Sequence, residues 1–164
     1  MFGLSFNNLV EYKIISTPVG NIQIFIEEDH NDFLEIFNAL ACTGLIWNGI
    51  TYKQSVVFYR PFVESLTNAE IEFVMQHEVG HLVHDHALSR SSGIHNTYIE
   101  IVADMYALKQ TGYNGGKCLK QIMDSVLAKI ECPKKLVRMA NIEVLVRATV
   151  LNVVELIIKI TRLF

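Results

Sequence analysis

The segment His77-Glu78-Val79-Gly80-His81 constrains this chain more than any other, because its chemistry requires one backbone conformation. Residues four apart share a helix face, so on a helix His77 and His81 present two imidazoles to one ion, with Glu78 beside the water that ion would hold. The spacing is that of a metal-dependent hydrolase motif in which the glutamate is the general base. Val74 and Met75 precede the motif, and Leu82 and Val83 follow it. A helix flanked in this way is expected to be buried, with its histidines meeting a cleft. Thr67-Asn68-Ala69-Glu70 fits a capping box, and Ile71, Val74, Met75, Val79 and Leu82 recur at helical spacing, which predicts a helix over about 68–87. Gly80 costs such a helix roughly 1 kcal/mol against Ala, and its presence suggests a close backbone approach behind the site.

Two histidines leave a zinc ion short of a third protein ligand, with a further position open for water. Glu100, in IEIVADMYAL, is the expected ligand, and Asp104 follows one turn later. On a second helix the two carboxylates share a face, so Asp104 can accept a hydrogen bond from a ligating histidine and fix its tautomer. Thr97-Tyr98-Ile99-Glu100 is itself a capping box, which would fold Glu100 back on the helix start; the ligand role is preferred because zinc on two protein ligands is poorly held. His84 lies three residues beyond His81, where ligation from one straight helix would strain tetrahedral geometry. Asp85 and His86 are further candidates nearby. His30 and His95 read as surface loop residues, although His95 sits just before the Glu100 helix.

HEVGH followed by Glu-x-x-Ala-Asp resembles the gluzincin metallopeptidases, and most of all the catalytic core of the CAAX prenyl protease and heat-shock membrane protease group. The likeness covers roughly residues 55–113, where VVFY, a short break and LTNAEIEFVMQHEVGH are similar to that group's strand and active-site helix. Small stand-alone gluzincins are similar too. The resemblance implies one zinc ion on His77, His81 and Glu100, Glu78 as base, and Asp104 orienting a histidine. It also implies a peptide or protein substrate, whose backbone in that group binds a sheet edge. Residues near 55–60 are expected to form that edge, the alternative being an interior strand.

The expected chemistry is hydrolysis of a peptide bond: the metal acidifies a water and polarises the carbonyl, while Glu78 takes the water's proton and returns it to the leaving amine. Tyr98, Tyr106 and Tyr113 are candidates for stabilising the oxyanion, with no spacing to choose among them. Two other readings stand beside this one. The first is a zincin-fold binding or assembly protein without catalysis; the second is a zinc hydrolase of a non-peptide amide.

A chain of 164 residues that is 51% hydrophobic is expected to form a single domain over 1–164 with a real core. Its net charge of −3 argues against a nucleic-acid partner held on a basic face. Cys42, Cys118 and Cys132 have neither an even count nor CxxC spacing, so packed, reduced thiols and a cytoplasmic setting are expected. The N-terminus lacks the pattern of a signal peptide. Residues 11–16 and 21–27 predict a hairpin around Pro18 and Gly20, and residues near 31–41 a helix. Gly112 and Asn114-Gly115-Gly116 mark a loop, with a helix over about 117–130 ending before Pro133.

A last helix is predicted over about 134–162, with Arg138, Asn141, Asn152, Glu155, Lys159 and Arg162 on a narrow polar stripe and aliphatic residues elsewhere. Arg147, Glu155 and Lys159 interrupt it as a membrane span. It is expected to be a central core helix rather than a homodimer contact or a membrane-surface anchor. The fold class that results is α+β and zincin-like: a small N-terminal sheet, the active-site helix, then a helical C-terminal half.

Overall fold

The computed structural model describes residues 9–27, 41–47, 50–84, 97–112, 117–122 and 134–161. The architecture is α+β, a four-stranded sheet followed by helices. Strands β1 (Leu9–Thr17) and β2 (Gly20–Glu27) form the expected hairpin. Its turn is two residues long, closed where Thr17 pairs with Gly20. Gly20 takes φ 116°, a conformation that residues with a Cβ rarely adopt, and the Thr17 hydroxyl accepts from Val19 N at 3.2 Å. β3 (Ala41–Trp47) and β4 (Tyr52–Tyr59) pair antiparallel, and β4 runs parallel to β2.

The strand order is β1-β2-β4-β3, which corrects the reading of β4 as a sheet edge. β4 is interior because it pairs with β2 on one side and β3 on the other; Ser55, Val56, Val57 and Phe58 are consecutive buried residues, so its two faces are covered as well. Phe25 and Val57, neighbours in register, pack with Ile46 on one face, supported by Leu9 and Tyr59. β1, an outer strand, exposes Val10, Tyr12 and Ile14. The helix expected near 31–41 lies outside the described residues except for Ala41, which begins β3.

A single turn, α1 (Arg60–Val63), leaves the sheet, and α2 (Asn68–Val83) begins at the predicted capping box. Glu70 Oε2 accepts from both Thr67 N and Thr67 Oγ1 at 2.8 Å, and Glu70 N reaches back to Thr67 Oγ1 at 3.4 Å. α2 ends at Val83, short of residue 87; residues 85–96 are outside the described part. α3 (Thr97–Thr111) stops at Gly112, whose φ of 61° and bond from its N–H to Leu108 O at 2.9 Å make a left-handed helix end. Residues 117–122 are helical, and α4 (Lys134–Thr161) follows.

The chain contains two compact units, residues 1–65 with 78–95, and residues 66–77 with 96–164. In the second, Phe73 of α2, Ala107 and Leu108 of α3, Cys118 and Leu119, and Val144 and Leu151 of α4 form the core. The expectation that α4 is a covered core helix fails. Val144, Ala148 and Leu151 are buried, but Ile142, Leu145, Val153, Leu156 and Ile160 are exposed. At 1.5 Å per residue a helix of this length spans roughly 40 Å, more than one small helical layer can wrap. Among the described residues no helix is long and apolar enough to cross a membrane.

Candidate metal centre

α2 carries the motif in the conformation its spacing demands. His77, Glu78 and His81 are all buried, and their potential ligand atoms lie within 4.8 Å of one another. Helix packing explains the burial: Met75, Val79 and Leu82 are buried on the same helix, as is Gly80. Glu78 Oε2 is buried and has no hydrogen-bond partner among the described residues. A bare, buried carboxylate oxygen is costly unless something outside the protein's own donors satisfies it.

α3 faces His77 with both of its predicted carboxylates. His77 Nδ1 donates to Asp104 Oδ1 at 2.8 Å, which leaves Nε2 as the nitrogen for other work. Nε2 stands 3.3 Å from Glu100 Oε2. That separation is a charge contact between the two side chains, and the described residues whose ligand atoms all lie within 4.8 Å of one another are His77, Glu78 and His81, without Glu100. Glu100 is turned toward His77 and buried with it.

The structure adds a residue that the sequence reading treated only as an interruption of an apolar helix. Arg147 of α4 grips Asp104 with both prongs of its guanidinium, Nε to Oδ2 at 2.7 Å and Nη2 to Oδ1 at 2.8 Å. Its Nη1 lies 3.5 Å from Glu100 Oε2 and 3.6 Å from Glu143 Oε1. The signal available in the sequence was an arginine within an aliphatic helix, because a charge so placed needs a partner. The partner's identity was not available, since it lies 43 residues away.

Charge balance holds the cluster together. Burial opposes a charge on His77, but the Asp104 carboxylate, by charge and hydrogen bond, and Glu100 hold its pKa up to about 9. A ring in this setting keeps a proton unless a metal ion takes the proton's place. Burial also raises the Asp104 carboxyl, yet His77 and Arg147 outweigh it and hold that group below the ordinary carboxylate range. Arg147 is buried against its charge, and Asp104, Glu100 and Glu143 keep it protonated.

The other candidates separate clearly. His84 is exposed at the end of α2 and lies outside the ligand group. His30, Asp85, His86, His95 and Tyr113 fall outside the described residues. Tyr98 is exposed, and Tyr106 is half-buried with its phenol pKa raised by burial. Cys118 is a packed thiol, as expected: burial, with Glu70 and Asp104 adding to it, pushes its pKa up to about 12, so it offers no thiolate near neutral pH.

Residues 35–155 match Peptidase family M48. The chain belongs to that family. Its members are zincin-like metallopeptidases of the gluzincin type that use zinc, and membership implies peptide or protein substrates. No curated protein and no solved structure matches the chain. The matched region contains the HEVGH helix, both carboxylates of α3 and Arg147.

Proposed function

We propose that this chain is a zinc-dependent metallopeptidase that hydrolyses peptide bonds, with His77, His81 and Glu100 holding one zinc ion, Glu78 as general base and Asp104 orienting His77. The observation that carries this reading is the buried, unpartnered Oε2 of Glu78 on the helix that bears both histidines. A base needs an oxygen that no internal donor has taken, and this one sits in one group with the two histidines. When bound, zinc supplies Lewis acidity, lowering the pKa of a water to roughly 7 and polarising a carbonyl.

The protein's own residues do the remaining work. Asp104 accepts from His77 Nδ1, which directs Nε2 to the ligand position and raises the basicity of the ring. Arg147 holds Asp104 in place and keeps it ionised. Glu78 accepts the proton of the attacking water and delivers it to the departing amine.

Glu78→Gln tests the assignment. The variant keeps the shape of the side chain and should keep fold and stoichiometric zinc, while peptide hydrolysis falls by about 10²–10⁴-fold or more. Full turnover by the variant would remove Glu78 as base. Zinc-free wild type, purified without chelator and measured by mass spectrometry, would defeat the metallopeptidase reading as a whole.

A further inference from the structure

Arg147 faces two glutamates with one nitrogen. Its Nε and Nη2 are taken up by the two oxygens of Asp104. The remaining nitrogen, Nη1, stands 3.5 Å from Glu100 Oε2 and 3.6 Å from Glu143 Oε1. At those distances both are charge contacts rather than tight hydrogen bonds, so Nη1 is committed to neither carboxylate. Glu143 precedes Arg147 by one turn on α4, the order in which an acid and a base on one helix pair best. Its Oε1 is buried, yet the side chain as a whole is 23% exposed against 10% for Glu100. Glu143 can therefore shift toward the guanidinium without disturbing the core.

The oxygen of Glu100 that faces Arg147 is also the one 3.3 Å from His77 Nε2. Held there, Glu100 stands apart from the ligand atoms that His77, Glu78 and His81 bring together. To serve as a third ligand it must give up part of its contact with Arg147, because an oxygen that shares its electrons with a metal ion is a poorer partner for a guanidinium. A buried cation that loses a counter-charge is destabilised unless another carboxylate takes its place. Among the described residues the acidic partners of Arg147 are Asp104, Glu100 and Glu143, and Asp104 is already occupied.

We propose that Glu143 is a positioning residue that takes over Arg147 Nη1 and so releases Glu100 to the metal. The inference rests on the ligand role proposed above for Glu100. It gives Glu143 an effect that depends on zinc, whereas an ordinary ion pair within one helix would stabilise the protein equally with and without it.

Glu143→Gln separates the two, since it keeps the size of the side chain and removes the charge. Zinc affinity in a chelator competition titration should fall by about 10-fold, and the rise in Tm on adding zinc should shrink by about 3–6 °C. The zinc-free variant should melt within about 1 °C of zinc-free wild type. Equal losses in the zinc-free and zinc-loaded proteins would overturn the proposal in favour of a structural pair. In an Arg147→Lys background, where an ammonium that holds Asp104 lacks the fork to reach Glu143 as well, Glu143→Gln should alter zinc affinity by less than about 3-fold. A full 10-fold loss persisting there, about the size expected of an outer partner, would overturn the proposal in favour of direct attraction between Glu143 and the ion. Wild type that binds no zinc would defeat the metallopeptidase reading and this inference together, whereas wild type that binds zinc beside an unaltered Glu143→Gln defeats this inference alone.

Discussion

Arg147 shows how a single side chain ties the candidate centre together. Asp104 is fully buried, and its two oxygens are occupied by the Arg147 fork and His77 Nδ1. Removing one partner of a buried pair leaves the other uncompensated, which costs about 3–5 kcal/mol, far more than the pair's net worth against an apolar replacement. Arg147→Ala is therefore expected to lower unfolding stability by about 3 kcal/mol or more, and Arg147→Lys to recover part of it, since an ammonium keeps the charge without the bidentate fork. Asp104→Asn should weaken zinc binding by about 10–100-fold in a chelator competition titration, through loss of control over the His77 ring. A stability change under 1 kcal/mol for Arg147→Ala in urea would show that the fork is incidental. At this scale the sequence was legible where helical spacing names a position: local patterns picked out His77, Glu78, His81, Glu100 and Asp104, and the structure groups His77, Glu78 and His81 on α2 and brings Glu100 and Asp104 to His77. The Arg147 contact joins α3 to α4 across a long sequence separation, and no local periodicity encodes it.

Elements were legible to the degree that they carry their own boundary chemistry. The start of α2 was readable because its Thr67–Glu70 box is a local structure with local donors and acceptors. The hairpin was readable from the apolar, β-branched run IQIFI and the turn residues Pro18 and Gly20, and the end of α3 from Gly112. β3 has no comparable signature: ACTGLIW contains a glycine and lacks alternation, so its pairing depends on β4 rather than on itself. The role of β4 was misjudged because sequence reveals apolar content but not which neighbours supply the pairing. Thr67→Ala tests the boundary argument. It removes the hydroxyl that receives Glu70 N and donates to Glu70 Oε2, leaving only the bond from Thr67 N, and should cost about 1 kcal/mol in urea unfolding. Zinc content should not change, because His77 lies almost three turns further along the helix. An unmoved unfolding midpoint would mean that the cap is redundant with the packing of Phe73.

For the molecule as a whole, the proposed centre links metal binding to folding. His77 and His81 come from α2 and Glu100 from α3, segments separated in sequence, so an unfolded chain cannot present these ligands together. A metal that binds only the native state stabilises it by RT ln(1 + [L]/Kd), about 4 kcal/mol at a thousandfold excess over Kd. In a chain of this size that corresponds to a rise in Tm of roughly 10 °C. Chelation of the wild type is therefore expected to lower Tm by about that amount, and zinc to restore it. The pattern across variants distinguishes this from a general salt or chelator effect: Glu78→Gln should respond like wild type, because its glutamine leaves the three proposed ligands in place, while His77→Ala should melt at one temperature with or without zinc. Glu100→Ala is the deciding case. Retention of most of the zinc response would return Glu100 to the capping role that Thr97 offers it, whereas loss of the response would make it the third ligand, since the two histidines alone hold zinc too weakly to shift the folding equilibrium by several kcal/mol.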